Sequence, residues 1–118
     1  MTFLLDLQTL KMKIYEFARI LGILLDNAIE ASLECNEKII NITFRNDNKN
    51  NRQLIIIENT YKNKEINTET IFEKGNTEKE NHTGLGLWEV RKIIKKNSNV
   101  NLYTSKTNKF FSQQLEIY

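Results

Sequence analysis

Two stretches of the chain repeat apolar residues at helical spacing. From Ile14 to about Glu34 the repeat has three- and four-residue steps, which predicts a helix with one buried face. The residues of that face are Ile14, Phe17, Leu21, Leu24, Ala28 and Ala31, with Ile20 and Asn27 on an adjacent strip. A second helix is predicted to open at Gly84-Leu85-Gly86 and to end near Asn97 and Asn99. Its apolar face consists of Leu87, Val90 and Ile94.

Other stretches alternate with a period of two, which is typical of half-buried strands. Residues 40–45 alternate in this way, and after a polar turn at 47–52 an apolar, β-branched run follows at 54–58, so the two predict a hairpin. Residues 100–104 and 111–118 predict a second hairpin. Weak alternation over residues 2–7 predicts an edge strand.

Residues 59–83 form a long polar stretch between these elements. They are rich in Asn, Thr, Lys and Glu, and their few apolar residues include Ile66, Ile71 and Phe72. A loop of this length within a compact domain is usually functional or disordered. We expect residues 62–83 of this stretch to be poorly ordered without nucleotide, because so few apolar residues hardly offset the entropy lost on ordering.

The order of elements indicates the fold class. The predicted order is strand, helix, two strands, long loop, helix and two strands. This order predicts an α/β two-layer sandwich, in which helices pack on one face of a mixed, largely antiparallel sheet. The regular strand–helix alternation of a doubly wound nucleotide fold is missing. With 118 residues, the chain is expected to form one domain, residues 1–118.

Composition narrows the classes of function. The net charge of +2 lacks the strong basic excess of a dedicated nucleic-acid binder. Cys35 is the only cysteine, which excludes an internal disulfide and suits a reducing compartment. No apolar run reaches the roughly 18 residues of a membrane helix. We therefore expect the chain to be cytosolic, whether or not it belongs to a larger membrane protein.

Asn27 is a candidate metal ligand on the first predicted helix. Asp26, Asn27 and Glu30 are three or four residues apart, which places their polar groups along one side of the helix. A neutral amide oxygen suits Mg²⁺ where phosphate oxygens supply part of the coordination shell. An ordinary polar helix face explains the same spacing, so the pattern alone leaves both interpretations open.

The glycines at the start of the second helix suggest a phosphate-binding turn. Gly84 and Gly86 allow a ligand to approach the backbone closely, and the first N–H groups of a helix carry positive potential. A flexible joint between loop and helix is the alternative. The spacing matches neither a Walker loop nor a dinucleotide fingerprint.

Cations precede these glycines in the polar stretch. Lys74, Lys79 and His82 could approach phosphates from a mobile segment, since a lysine needs no fixed geometry to bind phosphate. Acidic residues alternate with them, at Glu73, Glu78 and Glu80, so a solvated charge run is the competing interpretation.

Three segments together resemble the GHKL ATPase superfamily, which includes gyrase, a heat-shock chaperone, histidine kinases and a mismatch-repair ATPase. Residues 21–32, LGILLDNAIEAS, resemble its N box, and residues 83–87, TGLGL, resemble its G2 box. Residues 55–61, IIIENTY, stand where the G1 box belongs. The combination of LDNAIEAS with ENTY is similar to that in quorum-sensing receptor kinases of the accessory-gene-regulator type. The resemblance covers nearly the whole chain, and the N and G2 boxes are more specific together than either is alone.

This resemblance implies a Bergerat fold, in which ATP lies between the helical layer and a lid. Asn27 matches the Asn that coordinates Mg²⁺, and Asn59 matches the residue that accepts a hydrogen bond from the adenine amino group. Lys79 falls where related kinases carry a lid lysine, so Asn27 and Lys79 are the candidate catalytic residues. The candidate ATP-binding residues are Asn27, Glu30, Asn59, Tyr61, Phe72, Lys74, Lys79, Thr83, Gly84, Leu85 and Gly86.

The chain departs from the family pattern at three places. Residues 59–63, NTYKN, lack the glycines and the initial Asp of the usual Asp-x-Gly-x-Gly box, so we expect weaker nucleotide binding. Glu30 replaces the Lys of many histidine kinases. Ile23 stands where the gyrase-like branch has a water-activating Glu, so simple ATP hydrolysis is disfavoured.

The function that the resemblance implies is that of the ATP–Mg²⁺-binding catalytic domain of a bacterial two-component sensor histidine kinase. Such a domain transfers the γ-phosphoryl group of ATP to a His on a separate dimerisation domain, mostly by positioning and charge neutralisation. A response regulator would act downstream, and the intact protein would be a membrane-anchored homodimer. The alternatives are a serine protein kinase of the anti-sigma-factor type, which shares the fold, and a nucleotide-free interaction module, which the missing glycines suggest.

Overall fold

The computed structural model describes residues 7–62 and 83–118. A 3-10 turn at Leu7–Thr9 precedes two helices and four strands: α1 (Ile14–Leu33), β1 (Ile40–Asp47), β2 (Arg52–Thr60), α2 (Thr83–Lys96), β3 (Val100–Lys106) and β4 (Phe110–Ile117). Both predicted helices and both predicted hairpins are thereby confirmed. The predicted edge strand lies outside the described residues except for Leu7, which begins the 3-10 turn. Of the predicted long loop, residues 59 and 60 belong to β2, and 63–82 lie outside the described residues.

The four strands form one antiparallel sheet in the order β1-β2-β4-β3. In the register, Ile57 lies opposite Ile42 and Gln113, and Leu115 lies opposite Ile55 and Leu102. Because side chains alternate across a strand, the odd-numbered residues of β2 share one face of the sheet. That face is the one against which the helices pack.

The core lies between this face and the two helices. Ile20, Leu24, Val90, Ile55 and Leu115 are each at most 2% exposed and belong to one apolar cluster. The sequence therefore predicted the two-layer α/β sandwich correctly. Within the described residues, neither helix combines the length and the apolarity that crossing a membrane requires.

One prediction about the first helix was wrong. Ile14, assigned to the buried face, is 56% exposed, whereas Ile20, assigned to an adjacent strip, is completely buried. The physical reason is the 3.6-residue turn of the helix, because apolar steps of three and four residues drift around its axis. The buried face therefore contains Ile20 and Leu24, and Ile14 lies beyond its edge.

A charged cluster closes the β1–β2 hairpin. The Asp47 carboxylate accepts hydrogen bonds from Asn50 N at 3.3 Å, Asn50 Nδ2 at 2.9 Å and Arg52 Nε at 2.8 Å. The bond from the Asn50 side chain and then that from Arg52 lower the pKa of Asp47 below its ordinary value. Arg52 also donates to Glu116 on β4 at 2.5 Å, which ties the turn to the sheet. Asn51 adopts a φ of 53°, a left-handed conformation that asparagine tolerates in turns.

Candidate functional site

Gly86 allows the first turn of α2 to lie directly against α1. A Cβ atom at this position would be only 3.0 Å from Cγ2 of Ile23, and the Ile23 side chain is itself buried, with 7% of its surface exposed. A side chain at position 86 would make the Ile23 side chain, or the helices themselves, shift by a few tenths of an ångström. The glycine therefore favours this close helix packing, in addition to any approach of a ligand to the backbone.

An ion pair joins the same two helices nearby. Arg19, one turn before Ile23, approaches Glu89, three residues after Gly86, with Nη2 and Oε2 2.7 Å apart. Arg19 Nε donates to the same oxygen at 2.8 Å. Both side chains are more than 40% exposed, so the pair contributes on the order of 0–1 kcal/mol to stability. It guides the orientation of the helices more than it holds them together.

Asn27 lies one turn after Ile23 on α1, and therefore on the side of the helix that meets α2. The side chain is half-buried. Its Nδ2 atom is buried without a hydrogen-bond partner in the described part of the chain. Leaving such a donor unsatisfied costs roughly 1–3 kcal/mol, so the position suits a ligand that brings a hydrogen-bond acceptor. Glu30 lies three residues further along the same side and is half-buried.

The predicted phosphate-binding glycines do open a helix. The first turn of α2 runs from Thr83 through Gly84 and Leu85 to Gly86. The first four N–H groups of a helix have no partner within it and carry a partial positive charge. The tight contact at Gly86 thus holds this helix end on the side of α1 that carries Asn27.

Asn59 lies near the end of β2, on the sheet face that the helices cover. It is 2% exposed and lies opposite Ile40 and Phe111 in the neighbouring strands. Its Nδ2 donates to the carbonyl oxygen of Thr60 at 3.0 Å. With the amide nitrogen engaged in this way, the oxygen Oδ1 is the atom suited to accept a further hydrogen bond.

Tyr61 anchors the end of β2 to the β3–β4 turn. It is 7% exposed, and its hydroxyl donates to the carbonyl oxygen of Thr107 at 2.6 Å. Its ring meets that of Phe111 edge-on, with 6.1 Å between the centroids. A nucleotide contact in which the Tyr61 hydroxyl donates would have to break the bond to Thr107, whereas one in which it accepts would not.

The structure adds two polar residues that the sequence analysis missed. Gln113 on β4 is 5% exposed and lies opposite Ile57, so it shares the helix-covered face with Asn59, diagonally across the strand pair. Thr104 on β3 donates through Oγ1 to Gln113 Oε1 at 2.6 Å. One feature of the sequence could have revealed Gln113. Side chains alternate along β4, and Gln113 falls between Phe111 and Leu115, which face the helices, so it faces them too.

The remaining candidates cannot be placed. Phe72, Lys74 and Lys79 lie outside the described residues, so their assignment rests on the sequence alone. In residues 7–62 and 83–118, no three His, Cys, Asp or Glu side chains are grouped so that they could hold a metal ion. A cation beside Asn27 would therefore take other ligands from elsewhere, such as phosphate oxygens and water.

Comparison with known protein families accounts for this arrangement. The family model described as GHKL domain matches residues 12–118, and the chain belongs to that family. The GHKL fold implies nucleotide binding. No curated protein matches the chain.

Solved structures of histidine kinases are similar to the chain. The nucleotide-free catalytic domain of the histidine kinase ThkA is 26% identical, with a TM-score of 0.65, and the match covers 87% of this chain and 67% of that one. The histidine kinase AdeS of Acinetobacter baumannii is 23% identical, with a TM-score of 0.60, and the match covers 87% of this chain and 45% of that one. The histidine kinase domain of a blue-light-activated kinase from Erythrobacter litoralis is 13% identical, with a TM-score of 0.62, and the match covers 86% of this chain and 45% of that one. The latter two support the fold only, and the chain spans about half to two thirds of these proteins.

Proposed function

We propose that the chain is the ATP–Mg²⁺-binding catalytic domain of a two-component sensor histidine kinase. The observation that carries the proposal is the contact of 3.0 Å between Ile23 Cγ2 and the Cβ position of Gly86. It holds the start of α2, with its free N–H groups, against the side of α1 that carries Asn27. Membership of the GHKL family and the likeness to histidine kinase catalytic domains support the same conclusion.

The residues present fit a nucleotide. The buried Nδ2 of Asn27 lacks an acceptor among the described residues, and an ATP phosphate brings several. Asn27 Oδ1 would be a Mg²⁺ ligand, and the bound ion would neutralise phosphate charge. The backbone of Thr83–Gly86 would donate to the phosphates, and Asn59 Oδ1 would accept a hydrogen bond from the adenine amino group. Glu30, Tyr61, Phe72, Lys74 and Lys79 complete the proposed set, with Lys79 as the lid lysine that the family resemblance implies.

The chemistry of this chain would be positioning. Phosphoryl transfer needs alignment and charge stabilisation more than covalent participation of the protein. The acceptor would be a His on a dimerisation domain of the same receptor, and a response regulator would take the phosphoryl group onward. We further propose that the receptor is a membrane-anchored homodimer, that this domain works in the cytosol, and that it serves quorum sensing.

Two other functions remain alternatives. A serine protein kinase of the same fold is disfavoured by the likeness to the ThkA catalytic domain, the comparison whose sequence identity reaches 26%. A nucleotide-free interaction module is disfavoured by the Asn27 donor, since a module without a ligand would leave it buried at a cost. The missing G1 glycines reduce the expected affinity but leave the buried Asn59 in place.

Calorimetric titration with a non-hydrolysable ATP analogue, with and without Mg²⁺, tests the proposal. Asn27→Ala is expected to abolish the part of the affinity that depends on Mg²⁺, and Asn27→Asp keeps the shape while changing the charge. Asn101→Ala is the matched control, since Asn101 is an exposed asparagine on the outer sheet face, opposite Glu116. Analogue binding by Asn27→Ala equal to that of the parent chain would contradict the assignment. Transfer of labelled phosphate to a His-bearing dimerisation domain, and not to a serine substrate, would then identify the acceptor.

A further inference from the structure

The first helix is apolar on the face turned away from the sheet as well as on its buried face. Among the described residues, six large apolar side chains are exposed, and four of them belong to α1: Ile14, Tyr15, Ile29 and Leu33, with exposures between 45% and 69%. A helix that is apolar all round is normally buried. Within residues 7–62 and 83–118, this helix is covered on one side only.

Five exposed residues and one half-buried residue form a row along α1. The row, called here the outer stripe, consists of the exposed Tyr15, Ala18, Gly22, Ile29 and Leu33 and of Leu25, which is half-buried and also packs against the core. Their steps of three and four residues follow the spacing of a seam that packs against another helix. The stripe is about 27 Å long at the rise of 1.5 Å per residue. Its regular spacing indicates a helical partner rather than a small ligand.

The charges beside the outer stripe change sign along the helix. Lys13, exposed, precedes it and lies over the Tyr15 ring, with Nζ 5.8 Å from the centroid. Asp26 and Glu34, both exposed, border its other half. A parallel copy of α1 would place like charges together, whereas an antiparallel copy would place Lys13 of each chain near Glu34 of the other. The pairing of opposite charges is thus repeated at both ends, as a two-fold axis requires.

We propose that the outer stripe binds the outer stripe of a second copy of this chain, with the two α1 helices antiparallel across a two-fold axis. Ala18 and Gly22 near the middle allow close approach, and an ideal Cβ at Gly22 would meet nothing within 4 Å in the single chain. A contact made by one helix from each chain lies below the roughly 1,200 Å² of a stable interface. The dimer is therefore weak, and it forms at high local concentration.

Sedimentation velocity over a wide range of chain concentrations tests for this dimer. Ile29→Lys, at a side chain that is 45% exposed, is expected to raise the dissociation constant by about tenfold or more. The matched control is Tyr103→Lys, because Tyr103 is 56% exposed on the outer sheet face and is expected to leave the association unchanged. A chain that stays monomeric at every concentration overturns the proposal, as does an equal effect of the two variants. Thermal unfolding of both variants verifies that the fold is intact.

Charge reversal and cross-linking test the antiparallel arrangement. Lys13→Glu alone and Glu34→Lys alone are expected to weaken the dimer, and the double variant is expected to restore it. Cys35 is the chain's single cysteine and lies just after α1, so Lys13→Cys would introduce a second thiol near the opposite end. Under mild oxidation, a disulfide between position 13 of one chain and Cys35 of the other supports the proposal. A disulfide between the two Cys35 residues of the unmodified chain indicates a parallel pair and overturns it.

Discussion

Replacing Gly86 by alanine sets a packing cost against a gain in helix propensity. The added Cβ would lie 3.0 Å from Ile23 Cγ2, which is closer than a carbon–carbon contact allows. Overpacking of this kind costs about 1–3 kcal/mol, whereas alanine in a helix is favoured over glycine by about 1 kcal/mol. Gly86→Ala is therefore expected to lose about 0–2 kcal/mol of unfolding free energy.

Gly22→Ala isolates the packing cost, because it makes the same chemical change on a helix where a Cβ meets nothing within 4 Å. This variant is expected to gain about 0.5–1 kcal/mol. The helix-propensity gain is similar in both variants, so their difference of about 1–3 kcal/mol measures the contact with Ile23. Urea unfolding of dilute samples gives both values without interference from self-association.

A double-mutant cycle assigns the cost to Ile23. Ile23→Ala removes Cγ2 and creates space, so combining it with Gly86→Ala is expected to cost less than the sum of the single changes, by about 0.5–3 kcal/mol. Ile23→Val keeps the γ-methyl group and should show little relief. If Gly86→Ala proves as stable as Gly22→Ala, or if the cycle shows no coupling, then α2 does not depend on this contact for its position. In that case Gly86 would not align the proposed phosphate-binding turn.

Three further outcomes are expected. Asn59→Ala should weaken ADP binding by about 1–3 kcal/mol, because a buried hydrogen-bond acceptor is lost. Asn59→Asp should keep the ADP affinity or strengthen it. If the Ala variant binds both ADP and GDP as tightly as the parent chain, Asn59 has no role in adenine recognition. The lowered pKa of Asp47 means that its carboxylate stabilises the fold above its ordinary pKa of 3.8, and that this contribution is lost as the pH falls through the lowered value. Asp47→Asn should therefore be less stable than the parent chain at pH 7 and approach it as the solution is acidified below the ordinary pKa of 3.8. A constant difference in urea midpoint would contradict this. Amide hydrogen exchange of residues 62–83 should be fast in the free chain and slower with ADP or an ATP analogue, and equal protection in all states would exclude a nucleotide-operated lid.

Much of the fold could be predicted from the sequence, because hydrophobic periodicity reports local geometry directly. The alternation of residues 40–45 led to β1, and the steps through Phe17, Leu24 and Ala28 led to α1. Element ends were less certain, since strands extend while hydrogen-bond partners remain available. Thus β2 runs on to Thr60, two residues beyond the predicted end of its apolar run.

The candidate site, like the fold, could be predicted from the sequence only in part. The residue types and their order along the chain pointed to Asn27, Asn59 and the glycines of the second helix. The periodicity gave no sign that Gly86 lies against Ile23, because that contact joins two helices far apart in sequence. Gln113 was missed for the same reason, since a polar residue in a strand acquires meaning only when its neighbours show which face is covered.

The sequence by itself determined the helices, the hairpins, the two-layer class and the candidate nucleotide-binding residues, because each of these depends on residue types and spacing within one segment. Only the tertiary structure decided which side of α1 meets α2, which asparagine atom is left without a partner among the described residues, and that Tyr61 is engaged with Thr107. It also decided that Ile29 and Leu33 of α1 are exposed rather than buried among the described residues. These features depend on how separate segments approach one another, and long-range packing leaves no periodic trace in any one of them.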